Sequence, residues 1–191
     1  MVERINWDNT SAVTKTCEVL KKGGVLVYPT DTLYGFGCDA KNEQAIHTIK
    51  TIKNRSGPMS VIAPSKDAVE TWLKLPGSGG KMDVLKKLGG ATTVIVPVKD
   101  NIVSKNISGN NQTLGIRIPD HPFCQKLSQN YSNPITTTSV NRNKQDPLTN
   151  PDEIIKEFSQ EIQLIIEDGI IAGVASTIYL FEKNKWTVLR S

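Results

Sequence analysis

Cysteine and histidine are scarce. Cys17, Cys38 and Cys124 are scattered along 191 residues, with only His47 and His121 beside them. An odd, dispersed set argues against a disulfide framework. Without a Cys-x-x-Cys pair it also argues against a zinc site. No stretch approaches the ~20 apolar residues of a membrane span. Met1 to Trp7 lacks the apolar core of a signal peptide, so a reducing cytoplasm is the expected compartment. Excess charge is small: 23 basic against 19 acidic residues give +4, which permits an anionic ligand without demanding one. Repeats and low-complexity runs are missing too. What remains is a globular composition, 38% hydrophobic and 22% charged, in a chain expected to form a single domain over 1–191 with its own core.

Hydrophobic periodicity predicts helices over Asn9–Lys22, Glu43–Lys53, Lys81–Leu88 and Pro122–Asn130. Ser65 caps another that runs to Leu73, and Asn150-Pro151 opens one that runs to Phe158. In the Lys81–Leu88 helix, Met82, Leu85 and Leu88 form the expected buried stripe. Strands are predicted at Val25–Tyr28, Met59–Ala63, Thr92–Val98, Leu114–Ile118, Ile135–Thr138, Leu164–Glu167, Ser176–Leu180 and Trp186–Leu189. Pro76–Gly80 and Asp100–Gln112 read as loops. Strands alternating with helices, then strands following strands, predict an α/β domain with a mixed sheet.

Two familiar motifs fail on context. Gly35-Phe36-Gly37-Cys38-Asp39-Ala40 has the dinucleotide-binding spacing, but its first Gly lies six residues past the strand-ending Pro29. Arg55 also stands where the acidic partner belongs. Gly80-Lys81 lacks the rest of a phosphate-binding loop. His47 and His121 read as ordinary surface or hydrogen-bonded histidines.

Other clusters are more informative. Pro29-Thr30-Asp31-Thr32-Leu33-Tyr34-Gly35 leaves a buried strand carrying two hydroxyls and a carboxylate. It suits a ligand at a strand end, and equally a well-made turn. Lys53-Asn54-Arg55 suits a polyphosphate, although cations also favour helix C-termini. Thr136 to Asn141 packs five hydroxyl or amide side chains into six positions, as a pocket wall or an exposed edge would. Thr113 and Arg117 share one side of a strand. Cations and hydroxyls recur at element ends while nucleophile–base pairs do not, which fits a site that binds anions and orients two substrates.

In this order, the Pro29–Gly35 motif, Lys53-Asn54-Arg55, Gly115-Ile116-Arg117-Ile118-Pro119-Asp120-His121-Pro122, Thr138-Ser139-Val140-Asn141, Ser176-Thr177-Ile178 and Arg190 resemble the YrdC-like family of threonylcarbamoyl-AMP synthases. The resemblance covers nearly the whole chain. Ser56 stands where that family usually has Pro, and Gly89-Gly90-Ala91-Thr92-Thr93 stands for its Pro-Gly-Pro-x-Thr. The resemblance implies a twisted open mixed α/β sheet with flanking helices and a large concave cavity. It implies nucleotidyl transfer: L-threonine, bicarbonate or CO2, and ATP giving threonylcarbamoyl-AMP and pyrophosphate for tRNA N6-threonylcarbamoyladenosine modification. It places Thr32, Arg117, Thr137 and Ser176 on threonine, and Lys53, Arg55, Thr113, Ser139, Asn141 and Arg190 on ATP, with Lys53 and Arg55 offsetting charge in catalysis. Mg2+ is expected to arrive with ATP, with Asp31 the one carboxylate near enough to help. Implied partners are tRNA or double-stranded RNA and a downstream threonylcarbamoyl transferase. The competing reading is a non-catalytic RNA-binding module of the same fold.

Overall fold

Side-chain alternation along the strands decides what each face of the sheet buries. The computed structural model describes residues 2–191. In chain order the elements are β1 (Glu3–Asn6), α1 (Ala12–Lys21), β2 (Leu26–Tyr28), β3 (Gly35–Gly37), α2 (Glu43–Ile52), β4 (Ser60–Ile62), α3 (Lys66–Trp72), α4 (Ser78–Lys87), β5 (Thr92–Pro97), β6 (Thr113–Arg117), α5 (Pro122–Asn130), β7 (Ile135–Ser139), α6 (Pro151–Phe158), β8 (Leu164–Glu167), β9 (Thr177–Glu182) and β10 (Lys185–Arg190). The strands form one mixed, open sheet in the order β1-β8-β2-β3-β7-β4-β6-β5-β9-β10.

Val27, Phe36, Val61, Val94, Ile116, Ile165 and Phe181 point to one face. There they pack under α2, α3, α4 and α6 through Ile49, Val69, Val84 and Phe158. Their neighbours Leu26, Tyr28, Ile62, Ile135, Leu164 and Ile166 point to the other face, against Leu20 of α1 and Phe123 and Leu127 of α5. This second cluster includes no residue of β5, β6 or β9. Helices therefore cover more of the first face than of the second.

The sequence expectations hold for most elements, and the caps explain several ends. The Asn42, Ser65 and Asn150 side chains accept from backbone N–H groups at the starts of α2, α3 and α6. Four differences have physical causes. β1 is a polar edge strand without apolar alternation; it is held beside β8, where Arg4 pairs with Glu167 and Asp152. β3 is a Gly-Phe-Gly strand between β2 and β7, so Gly35 and Gly37 lie inside a strand and not in a nucleotide-binding turn. Pro76–Gly80 is only partly a loop, because α4 begins at Ser78. There Gly80 lies against Phe181, so packing overrides glycine's poor helix propensity. The inward row of α4 is correspondingly Gly80, Val84 and Leu88 at i, i+4 spacing; Met82 is exposed. Asp100–Gln112 carries two short 3-10 turns and buries Val103 and Ile107.

His47 is exposed. His121 is buried, caps α5 by accepting from Phe123 N at 3.1 Å, and meets Asp168 at 3.2 Å. All three cysteines are buried and free. Among the described residues no helix is long and apolar enough to cross a membrane.

Gly37 gives a test of the core. A Cβ there would fall 2.6 Å from Cε1 of Tyr28. That ring is fully buried, and its hydroxyl donates to Thr136 O at 3.0 Å, so it has nowhere to swing. Gly37→Ala is expected to lose about 1–3 kcal/mol to overpacking. Gly57→Ala, with open space around it, should stay within about 0.5 kcal/mol of wild type. Urea unfolding of both variants checks this.

Candidate functional site

The uncovered part of the second face is the floor of a cavity of about 570 Å³. Period-two spacing selects its residues: Thr137 and Ser139 on β7, Ser60 on β4, Thr113, Gly115 and Arg117 on β6, Thr93 and Ile95 on β5, and Ile178 on β9. Strand pairing aligns them, with Ser60 opposite Thr137, Gly115 opposite Ile95 and Thr93 opposite Ile178. Gly115 keeps the floor low, since a Cβ there would fall within 2.4 Å of Ser60 Oγ. The walls come from the connector after β2 (Thr32, Leu33, Tyr34), from Arg55, Pro58 and Met59, and from Pro147, Ala175 and Ser176.

Thr30 shapes the first wall. Its hydroxyl donates to Leu33 O at 2.7 Å, receives the N–H groups of Thr32 and Leu33, and lies 3.0 Å from the Thr32 hydroxyl. The Pro29–Gly35 motif is thus both a turn and a cavity wall. On the opposite side Ser176 Oγ lies 2.8 Å from Thr93 Oγ1, and Arg190 donates to Ser176 O through Nε and Nη2.

Arg190 reaches the cavity by a break in register. Trp186 and Val188 pair with Phe181 and Tyr179, and Trp186 packs on both of those rings. Unbroken alternation would send Arg190 to the same side. The register shifts between Val188 and Arg190, leaving Arg190 opposite Ile178, which faces the cavity.

Electrostatically the site is short of negative charge. Arg117 is buried; its Nη2 donates to Asp31 Oδ1 at 2.8 Å, and its Nε is buried with no partner among the described residues. Burial, then the nearby Arg117, lowers the pKa of Arg190 from its ordinary value. Arg55 stands at the rim, donating to Pro58 O at 2.7 Å. Such a hollow is built for an anion with several oxygen acceptors.

Of the ten residues expected at the site, eight line the cavity: Thr32, Arg55, Thr113, Arg117, Thr137, Ser139, Ser176 and Arg190. Lys53 and Asn141 stand behind the wall. Asn54 has φ 42°, and Lys53 and Arg55 diverge on either side of it. Lys53 turns inward over the Phe36 ring, where Nζ donates to Ser139 O at 2.6 Å and to Asn141 Oδ1. Asn141 Oδ1 also accepts from Ser139 Oγ at 2.9 Å. Lys53 therefore braces the hydroxyl that faces the cavity. Thr93, Ser60 and Tyr34 were not expected as lining residues. The signal for Thr93 was the last position of Gly89-Gly90-Ala91-Thr92-Thr93.

Fold and site together define an α/β protein with a cavity lined by arginines and hydroxyls over the bare half of an open sheet. The chain belongs to the Sua5/YciO/YrdC family, described as "Telomere recombination", whose match covers residues 18–191. A threonylcarbamoyl-AMP synthase from Hydrogenovibrio crunogenus is 30% identical over 183 residues, covering 93% of this chain and 96% of the relative. E. coli YciO has the same fold, with a TM-score of 0.87 at 23% identity, covering 100% of this chain and 95% of that one. A P. abyssi Sua5 complexed with L-threonine matches with a TM-score of 0.85 at 23% identity, over 100% of this chain and 57% of the longer one.

Burial first, and Arg55 second, push the Lys53 ammonium down to about 8 from 10.5. Between those values the unfolded chain binds a proton that the native chain has released, so this group makes stability rise with pH across that window. The stability of wild type relative to Lys53→Met should therefore improve from pH 8 to pH 10. Urea midpoints of the two proteins at several pH values measure the trend.

Proposed function

We propose that this chain is an L-threonylcarbamoyladenylate synthase, a nucleotidyltransferase that joins L-threonine, bicarbonate or CO2, and ATP. The observation that carries the reading is the pairing of two sets of groups in one cavity. Thr32, Arg117, Thr137 and Ser176 offer a guanidinium and three hydroxyls suited to an amino acid. Arg55, Thr113, Ser139 and Arg190 offer cations and hydroxyls suited to a triphosphate. The relative of 30% identity, named for this activity and matched along nearly its whole length, supports the same conclusion.

In this reading Arg117 receives the threonine carboxylate, and the hydroxyls orient its amine and side-chain OH. The unprotonated amine adds to CO2, forming a C–N bond and releasing a proton. The resulting carbamate oxygen attacks the α-phosphorus, the bond from that phosphorus to the bridging oxygen breaks, and pyrophosphate leaves with the electron pair. Bicarbonate gives the same product with loss of water. No protein nucleophile takes part, so the cavity works by positioning and by offsetting charge. Arg55 meets the phosphates directly, and Lys53 acts through the Ser139–Asn141 wall that it braces.

Magnesium would be carried in with the triphosphate, because Asp31, the nearby carboxylate, already serves Arg117 and Asp120 N. The product would pass to a threonylcarbamoyl transferase acting on tRNA in the cytoplasm. A purely RNA-binding role fits less well, because the arginines Arg117 and Arg190 are turned into a cavity too small for a duplex.

Pyrophosphate release should require threonine, bicarbonate and ATP together, and omitting any one should abolish it. Valine should be used poorly, since it leaves buried hydroxyls unpaired. Arg117→Ala should weaken threonine binding by about tenfold or more and ATP binding far less. Calorimetric titration of each ligand that showed only ATP affected would reverse the assignment of the two ends.

A further inference from the structure

Asp31 lies inside the Pro29–Gly35 motif, yet the reaction above gives it no task. Its carboxylate is well buried, with a side-chain exposure of 12%, and both oxygens are engaged. Oδ1 accepts from Arg117 Nη2 at 2.8 Å and Oδ2 from Asp120 N at 3.1 Å. These bonds join segments that are not neighbours in the sheet. Asp31 belongs to the connector after β2, while Arg117 and Asp120 lie at and just beyond the end of β6. Strands β3, β7 and β4 stand between β2 and β6. Thr32 is the next residue along the connector. Among the described residues, the side-chain hydrogen bond from Thr32's connector to Arg117 is the one Asp31 accepts.

Charge gives a second reason. Arg117 is buried, and Asp31 is the carboxylate paired with it. A buried guanidinium with no fixed acceptor would turn towards any other oxygen within reach. Asp31 occupies only Nη2 of Arg117. Nε is buried without a partner, so the guanidinium is held in place while part of its donor capacity stays uncommitted.

We propose that Asp31 is a positioning residue for the amino-acid substrate: its carboxylate fixes the Arg117 guanidinium relative to Thr32 and leaves the other donors of Arg117 for an incoming carboxylate. The inference rests on the threonine reading of this end of the cavity. It assigns Asp31 to amino-acid recognition and away from metal binding.

The test uses the full chain and pyrophosphate release. In Asp31→Asn, which keeps the shape and an acceptor for Asp120 N, KM for threonine should rise about tenfold or more, as expected for the loss of a charge-assisted contact. KM for ATP should stay within about twofold. The magnesium dependence should not move. Combining Asp31→Asn with Arg117→Ala should add nothing further to the loss of threonine affinity, because Asp31 acts through Arg117. As a second variant, Asp31→Ala leaves room for a small carboxylate, and added formate should lower its KM for threonine while leaving wild type unimproved. A role in fold stability alone would produce neither the selective KM change nor formate rescue.

The proposal is overturned if Asp31→Asn keeps the wild-type KM for threonine, or if the two effects add in the double variant. It is overturned equally if threonine binds Asp31→Asn more tightly, which would make the carboxylate a competitor for Arg117. A changed magnesium requirement would return Asp31 to the metal. Wild type that releases pyrophosphate without threonine would instead defeat the underlying functional reading, so the two failures are distinguishable.

Discussion

An open sheet must cover both faces or leave polar residues on the bare one, and this constraint creates the site. Four helices cover one face. On the other, α1 and α5 extend only as far as Ile62 and Ile135. Beyond that boundary, positions that would otherwise hold Leu or Val hold Ser60, Thr93, Thr113, Arg117 and Thr137. The alternation that builds the core under α2 and α6 thus also selects the cavity floor. Val94, Leu114 and Ile116 join the core, while Thr93, Thr113 and Arg117, at alternate positions, face the cavity.

Putting cations in and behind that cavity has a cost, and the structure offsets it locally. Arg117 is paired with Asp31. Arg190 is anchored on Ser176 O, and Lys53 sits among the carbonyl and amide oxygens of Ser139 and Asn141. A buried charge without such partners would be strongly destabilising. These contacts fix the geometry of the cavity before any ligand arrives, which is what an enzyme acting by orientation and charge stabilisation requires.

Much of this was legible in the sequence, though by different signals. Periodicity exposed the long amphipathic helices, and Ser65 and Asn150 marked their starts. It missed β1, whose Glu-Arg-Ile-Asn has no apolar alternation, because that strand is held by ion pairs and by β8. It missed β3, because Gly-Phe-Gly gives no propensity signal and is specified by the strands on either side. The shared side of Thr113 and Arg117 followed from strand geometry alone. Lys53 and Arg55 look equivalent in a Lys-x-Arg triplet; only the left-handed Asn54 between them separates a buried brace from a cavity cation. The Gly89–Thr93 segment marks Thr93 itself, but its pairing with Ser176, 83 residues away, has no local signal.

Arg190 shows how far pattern reading can go. Counting by twos from Trp186 assigns it to the helix-covered side, away from the cavity. The register shift before it reverses that assignment, and the reason is found across the strand pair. Phe181 and Tyr179 hold Trp186 on one face, while Ser176 offers the guanidinium a polar anchor on the other, opposite Ile178. One irregular step lets the strand satisfy both. The end of the last strand thereby serves stability through Trp186 and the site through Arg190, with the change of task falling between Val188 and Arg190. Local departures from the regular strand pattern occur where a core requirement and a site requirement meet on the same short segment.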